Sequence, residues 1–138
     1  MRHVIFSSRG RRYALPLSAV REVVPAPTEW TQVPLAPSCA LGVFNLRGRV
    51  VLAVELQGVL EPGAPRGPSP RILLLEKGRP DVGLAVEGVD GIEAVEAWGP
   101  PPEGAHRACS GASVLHEREI LLLGLDALEK AIERAFSP

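Results

Sequence analysis

Side chains capable of chemistry are few in this sequence and poorly spaced for it. The histidines are His3, His106 and His116, and the cysteines are Cys39 and Cys109. A zinc centre needs three or four ligands, usually with a tight pair such as Cys-x-x-Cys among them. His106 and Cys109 form the one close pairing, so no metal site is expected. Cys109 or Ser110 could act as a nucleophile only beside an activating base and an oxyanion hole, and His106 or His116 could meet either only through folding. Glu87, Asp90, Glu93 and Glu96 make an acidic stretch that reads as a solvated strand edge. No GxxxxGK[ST] or GxGxxG leads from a strand into a helix, so nucleotide phosphates find no cradle. The expectation is a protein with no catalytic residues, no metal and no cofactor, in which Cys39 and Cys109 are buried, reduced thiols.

Charge and composition narrow the remaining classes. Lys and Arg number 15 and Asp and Glu 16, for a formal net charge of −1. Such a balance offers no positive field to phosphate backbones. The aromatic residues Tyr13, Trp30 and Trp98 are too scattered for a base-stacking platform. Nucleic acid is therefore not an expected partner. Met1 to Gly10 lacks the apolar stretch of a secretory signal. The longest apolar runs, Ile72 to Leu75 and Ile120 to Leu123, fall far short of the roughly 20 residues that span a bilayer. A cytoplasmic protein without membrane insertion is expected.

The elements that would carry these residues are short strands. Gly and Pro, 14 of each, make up roughly a fifth of the 138 residues, which suits a fold with many tight turns. Apolar stretches closed by turn residues run from His3 to Ser7, Arg11 to Leu17, Leu41 to Leu46, Arg49 to Leu56, Arg71 to Glu76, Val82 to Val86, Ile92 to Ala97, Ala108 to Leu115 and Glu119 to Leu123. Hairpins are expected at Ser8-Arg9-Gly10, Arg47-Gly48 and Lys77-Gly78-Arg79-Pro80-Asp81. Several strands are apolar on nearly every residue, as strands covered on both faces are. The proline-rich segments 61–70 and 99–104 read as loops, and 61–70 is taken as the crossing between two lobes. At the end the period changes: Leu125, Leu128, Ile132, Ala135 and Phe136 fall on one helical stripe, and Asp126 with Glu129 reads as a helix start. The expected helix covers about 126–136 and packs on a barrel.

Three blocks carry further information: Y-A-L-P-L-S-A-V-R-E-V-V-P (Tyr13 to Pro25), V-P-L-A-P (Val33 to Pro37) and G-V-F-N-L-R-G-R-V-V-L-A-V-E-L (Gly42 to Leu56). In order and spacing they resemble the CheW family of bacterial chemotaxis coupling proteins. I-L-L-L-E-K-G-R-P-D-V-G-L-A-V-E-G-V (Ile72 to Val89) and C-S-G-A-S-V-L-H-E-R-E-I-L-L-L-G-L-D-A-L (Cys109 to Leu128) resemble the rest of the family pattern. Glu55 and Glu87 stand where the pattern has Asp, and the 61–70 connection is compact.

The resemblance implies an all-β domain over 1–138, with two small five-stranded barrel lobes sharing a core and a C-terminal helix. It implies a non-catalytic adaptor joining the regulatory domain of a CheA-like histidine kinase to the cytoplasmic hairpin tips of chemoreceptors, with other CheW-like domains in array rings as further partners. A scaffold of a pilus or gliding-motility system would keep the same motifs, and a small enzyme with an unrecognised Cys/His site is the remaining alternative. By resemblance, Val20, Glu22, Asn45 and Arg47 are the receptor-facing candidates and Leu41, Val43 and Phe44 the kinase-facing ones. Gly42 and Gly48 read as backbone requirements of a strand entry and a turn. Opposite charges on the two strongest blocks suggest that Glu22 and Arg47 pair; the alternative is that Arg47 only satisfies carbonyls of its own turn.

Overall fold

Strands account for most of the architecture in a computed structural model that describes residues 1–76 and 81–137. In chain order the described elements are β1 (Arg2–Ser8), β2 (Arg11–Pro16), a 3-10 turn (Leu17–Ala19), β3 (Val20–Pro25), β4 (Ala40–Leu46), β5 (Arg49–Glu55), α1 (Leu56–Leu60), β6 (Arg71–Leu75), β7 (Asp81–Val86), β8 (Gly88–Ala94), β9 (Cys109–Leu115), β10 (Arg118–Leu123) and α2 (Leu125–Phe136). Three elements had no counterpart in the sequence reading, the 3-10 turn, β3 and the single-turn α1. The expected turn at Lys77-Gly78-Arg79-Pro80-Asp81 lies, Asp81 apart, outside the described residues.

The strands form two five-stranded sheets, β8-β1-β2-β10-β9 (lobe 1) and β3-β6-β7-β5-β4 (lobe 2). This is the expected pair of five-stranded lobes, but neither ladder closes into a barrel. Among the described residues each lobe carries one isolated antiparallel bridge across its open side, from Gly99, beyond β8, to Ala112 on β9 and from Thr31, beyond β3, to Val43 on β4. The crossing between lobes also differs from expectation. The chain leaves lobe 1 at the 3-10 turn and returns to it at Glu87, whereas 61–70 follows α1 and leads into β6 within lobe 2. Prolines mark 61–70 as a loop, but they carry no information about which strands its ends join.

Strand pairing exposes an internal repeat. In the first half Val4 faces Leu15, and in the second Leu73 faces Leu84. Ile120 lies beside Arg12 in the parallel pair of lobe 1, as Val51 lies beside Asp81 in lobe 2. The same offset of 69 positions, as from Val4 to Leu73, relates all of these pairs. Each half gives its first hairpin to the other half's sheet, so β1-β2 completes lobe 1 with β8–β10, and β6-β7 completes lobe 2 with β3–β5.

Alternation along the central strands explains why they are apolar on nearly every residue. Val4 and Phe6 of β1, with Leu73 and Leu75 of β6, enter one core shared by both lobes. The intervening Ile5 enters a cluster private to lobe 1, and Ile72 and Leu74 enter one private to lobe 2. A period of two thus supplies two cores from one strand. Each such buried side chain is worth about 1.5–3 kcal/mol.

α2 covers the shared core with Leu128, Ala131 and Ile132. Phe136, expected on this stripe, is exposed instead. Gly124 occupies the N-cap position without a side-chain cap, and Asp126 sits in the first turn and Arg134 in the last, the arrangement that suits the helix dipole.

Candidate partner-binding surface at the end of lobe 2

The Asn45-Leu46-Arg47-Gly48 corner is a tight hairpin turn between β4 and β5. Arg47 and Gly48 both have positive φ, 49° and 86°, as the two central residues of a two-residue hairpin loop of the mirror-image class require. The Asn45 side chain stays in the turn, its Oδ1 accepting the Gly48 N–H at 2.9 Å. Arg47 is thereby held in a conformation costly for a residue with a Cβ, and its guanidinium leaves the turn and donates to Glu22 on β3. The pairing suggested by charge is therefore present, and Arg47 is not spent on the carbonyls of its own turn.

A second ionic group lies alongside. Asp81, at the start of β7, is buried and receives Arg49 Nε on Oδ2 at 2.8 Å, while Arg49 Nη2 and Arg21 Nη2 reach Oδ1 at 2.9 and 3.3 Å. Within this group three arginines face two carboxylates. The sequence reading missed Arg21, Arg49 and Asp81, because their meeting depends on β3, β5 and β7 converging from distant parts of the chain. It also missed Val50, which is 57% exposed beside the turn. Its alternation with the buried Val51 was the available signal.

The remaining candidates divide. Val20 is partly buried against the shared core. Leu41 and Phe44 pack against the lobe 2 cluster, where Phe44 meets Trp30 edge-on at 5.5 Å between centroids. Val43 is partly buried, and its backbone exchanges hydrogen bonds of 3.0 and 2.9 Å with Thr31. Gly42 lies under that bridge with φ 139°, and a Cβ there would come within 2.7 Å of the Thr31 carbonyl oxygen. Gly48 has open space around it and is required by its φ alone.

At the equivalent end of lobe 1 the chemistry differs on the same frame. The pair corresponding to Arg21–Asp81 is Asp90–Arg12, with the charges exchanged between strands and a separation of 3.3 Å in both. The turn there is His116-Glu117, also at positive φ, with His116 Nε2 3.5 Å from Glu93.

The cysteines are poorly placed for nucleophilic chemistry. Burial pushes both the Cys39 and Cys109 thiols up, and Cys109 donates weakly to the Gly111 carbonyl at 3.4 Å. Among the described residues no group of three metal-ligating side chains comes together, and no helix is long and apolar enough to cross a membrane.

Comparison with known proteins gives a consistent result. Residues 2–133 match the family described as "CheW-like domain". A 45-residue stretch is 44% identical to the chemotaxis protein CheW of Helicobacter pylori (strain ATCC 700392 / 26695), covering 33% of this chain and 27% of that protein. The scaffolding protein TtCheW from Thermoanaerobacter tengcongensis superposes with a TM-score of 0.76 at 27% identity, over 88% of this chain and 87% of that one.

Proposed function

Because the chain belongs to the family of CheW-like domains, whose members are scaffolding adaptors and not enzymes, we propose that it couples a CheA-like histidine kinase to the cytoplasmic hairpin tips of chemoreceptors. It acts in the cytoplasm, recruited to receptor arrays, through surface complementarity and without a cofactor. The observation that carries the reading is the Glu22–Arg47 ion pair, which joins the two strongest sequence blocks into one surface at the end of lobe 2. A few arginines and exposed apolar side chains supply most of the energy at such contacts, and Arg47, Arg49 and Val50 are of that kind. We assign the receptor tip to this surface. Of the three residues expected to face the kinase, Leu41 and Phe44 are committed to the lobe 2 cluster, so Val43 is the one assigned to that contact. Binding both partners at once raises the effective concentration of each for the other.

Isothermal titration against the regulatory domain of a CheA-like kinase from the same genome tests the coupling role, with saturable binding expected. Arg47→Ala is titrated in parallel against a receptor-tip fragment. The Arg47 side chain is 66% exposed, so its removal costs at most about 1 kcal/mol of folding stability. Binding to the tip should fall while the melting temperature barely changes. An Arg47→Ala protein that binds the tip as well as the parent would remove the assignment.

A further inference from the structure

Among the described residues, Arg9, Leu35, Arg47, His116 and Glu117 have positive φ without being glycine, a conformation that a Cβ makes costly. Three of them use the side chain that the turn holds out: Arg9 donates to the Pro65 carbonyl, Arg47 pairs with Glu22, and His116 lies 3.5 Å from Glu93. Glu117 ends in an exposed charge that water solvates. Leu35 does neither. At φ 60° its side chain is 105% exposed, so a strained backbone holds an apolar group away from its own chain. A lone exposed leucine is ordinary, but one kept at a strained position marks a functional contact. The internal repeat supplies the comparison. The Ala36 N–H donates to the Val33 carbonyl at 3.3 Å, and at the equivalent place in lobe 1 the Ala105 N–H donates to the Pro102 carbonyl at 3.1 Å. In that second turn the position of Leu35 is held by Gly104, at φ 81°, the residue type that such a turn calls for. The same turn is thus built with glycine in one lobe and keeps leucine in the other.

The surroundings of Leu35 suit a contact buried by a protein partner. Val33 is exposed beside it, and Glu29 is the only charged residue in 26–39, although 22% of the whole chain is charged. Depletion of charge marks the core of a protein interface. Pro34 and Pro37 stiffen the segment, so little conformational freedom is lost on binding. Thr31 pairs with Val43, and the Gln32 side chain donates to the Leu41 carbonyl at 3.4 Å. The segment therefore follows β4 back to its start, whereas Arg47 lies beyond its end. The 7 residues of β4, at about 3.3 Å each, put roughly 20 Å between the two, and a partner seated on Leu35 leaves the receptor surface free. We propose, resting on the coupling role above, that Leu35 is the anchor of the kinase contact: its side chain enters an apolar pocket on the kinase regulatory domain, with Val33 and Val43 packed around it.

The test titrates the full chain, Leu35→Gly and Leu35→Asn against the regulatory domain of a CheA-like kinase from the same genome and against a receptor-tip fragment, with sedimentation of each protein alone. Glycine and asparagine both tolerate positive φ, so neither variant should have a lower urea midpoint than the parent. Both should bind the kinase domain at least about tenfold more weakly and the receptor tip as well as the parent does. Agreement between the two removes added turn flexibility as the cause, because only glycine adds it. Undiminished kinase binding by either variant overturns the proposal and leaves the coupling role standing, whereas a parent chain that binds no such kinase removes both. A lowered urea midpoint would mean that Leu35 serves its own fold. A parent that self-associates and becomes monomeric in both variants, with kinase binding intact, would assign the turn to a second copy instead.

Discussion

Gly42 and Gly111 occupy equivalent places in the two halves, each under a bridge beside a tryptophan, yet they differ in what they demand. A Cβ on Gly42 would lie 2.7 Å from the Thr31 oxygen at φ 139°, whereas one on Gly111 would lie 3.1 Å from the Gly99 oxygen on ordinary backbone. Gly42→Ala should therefore cost about 2–4 kcal/mol through strain and overpacking together, and Gly111→Ala clearly less, as read from urea midpoints. His3 bears on pH. It is buried against Trp98, with 5.1 Å between ring centroids, and burial lowers its pKa below the ordinary 6.5. As pH falls through 6.5 the unfolded chain takes up a proton that the folded chain refuses, so stability declines from there down to the folded-state pKa. His106 adds a shift of the same sign. Urea midpoints should fall between about pH 7 and pH 5.5, and His3→Leu should flatten part of that fall. At this scale the sequence was readable where two charges sat on recognisable blocks, as with Glu22 and Arg47. It was silent on Asp81, whose two arginines come from separate strands.

Glu55 shows how one side chain can fasten an element. Its carboxylate is buried at the end of β5, where Oε2 accepts the Gly67 N–H at 3.2 Å and the Ser69 hydroxyl at 3.3 Å. Arg9, from the β1-β2 turn of lobe 1, approaches Oε1 at 3.9 Å and also donates to the Pro65 carbonyl. Arg66 adds hydrogen bonds to the Ser38 and Ala40 carbonyls at 3.0 and 2.8 Å. The proline-rich 61–70 segment is thus tied to both lobes. Glu55→Ala should cost about 1–3 kcal/mol and speed cleavage within 61–70 in limited proteolysis; an unchanged cleavage rate would mean that the prolines alone hold the segment. Strand existence was largely legible, since apolar runs between turns marked nine of the ten described strands. β3 was hidden because Val20–Pro25 alternates partial exposure and ends in proline, and α1 because five residues are too few to show a period.

The exchange of hairpins is a property of the whole chain and left no trace in local patterning. Periodicity reports which face of a strand is buried, and says nothing about its neighbours. The repeat itself is masked because equivalent positions have diverged in chemistry, as Arg12 and Asp81 have. Exchange makes each half incomplete: without β6 and β7, β3 has no link to β5 in lobe 2. Residues 1–63 and 64–138 prepared separately should each lack a cooperative unfolding transition, and their mixture should regain one by circular dichroism. A monomeric half that folds alone would contradict the exchange. The same topology sets an order for biosynthesis. Lobe 2 has all its strands once Val86 is made, but β2 ends at Pro16 and must wait for β10, which begins at Arg118. At roughly 5–20 residues per second the gap of about 100 residues lasts some 5–20 s, during which the β2 edge of the first hairpin stays unpaired, while its β1 edge is covered once β8 is made. Translation thus delivers lobe 2 early and leaves the β2 edge a client for chaperones until β10 emerges.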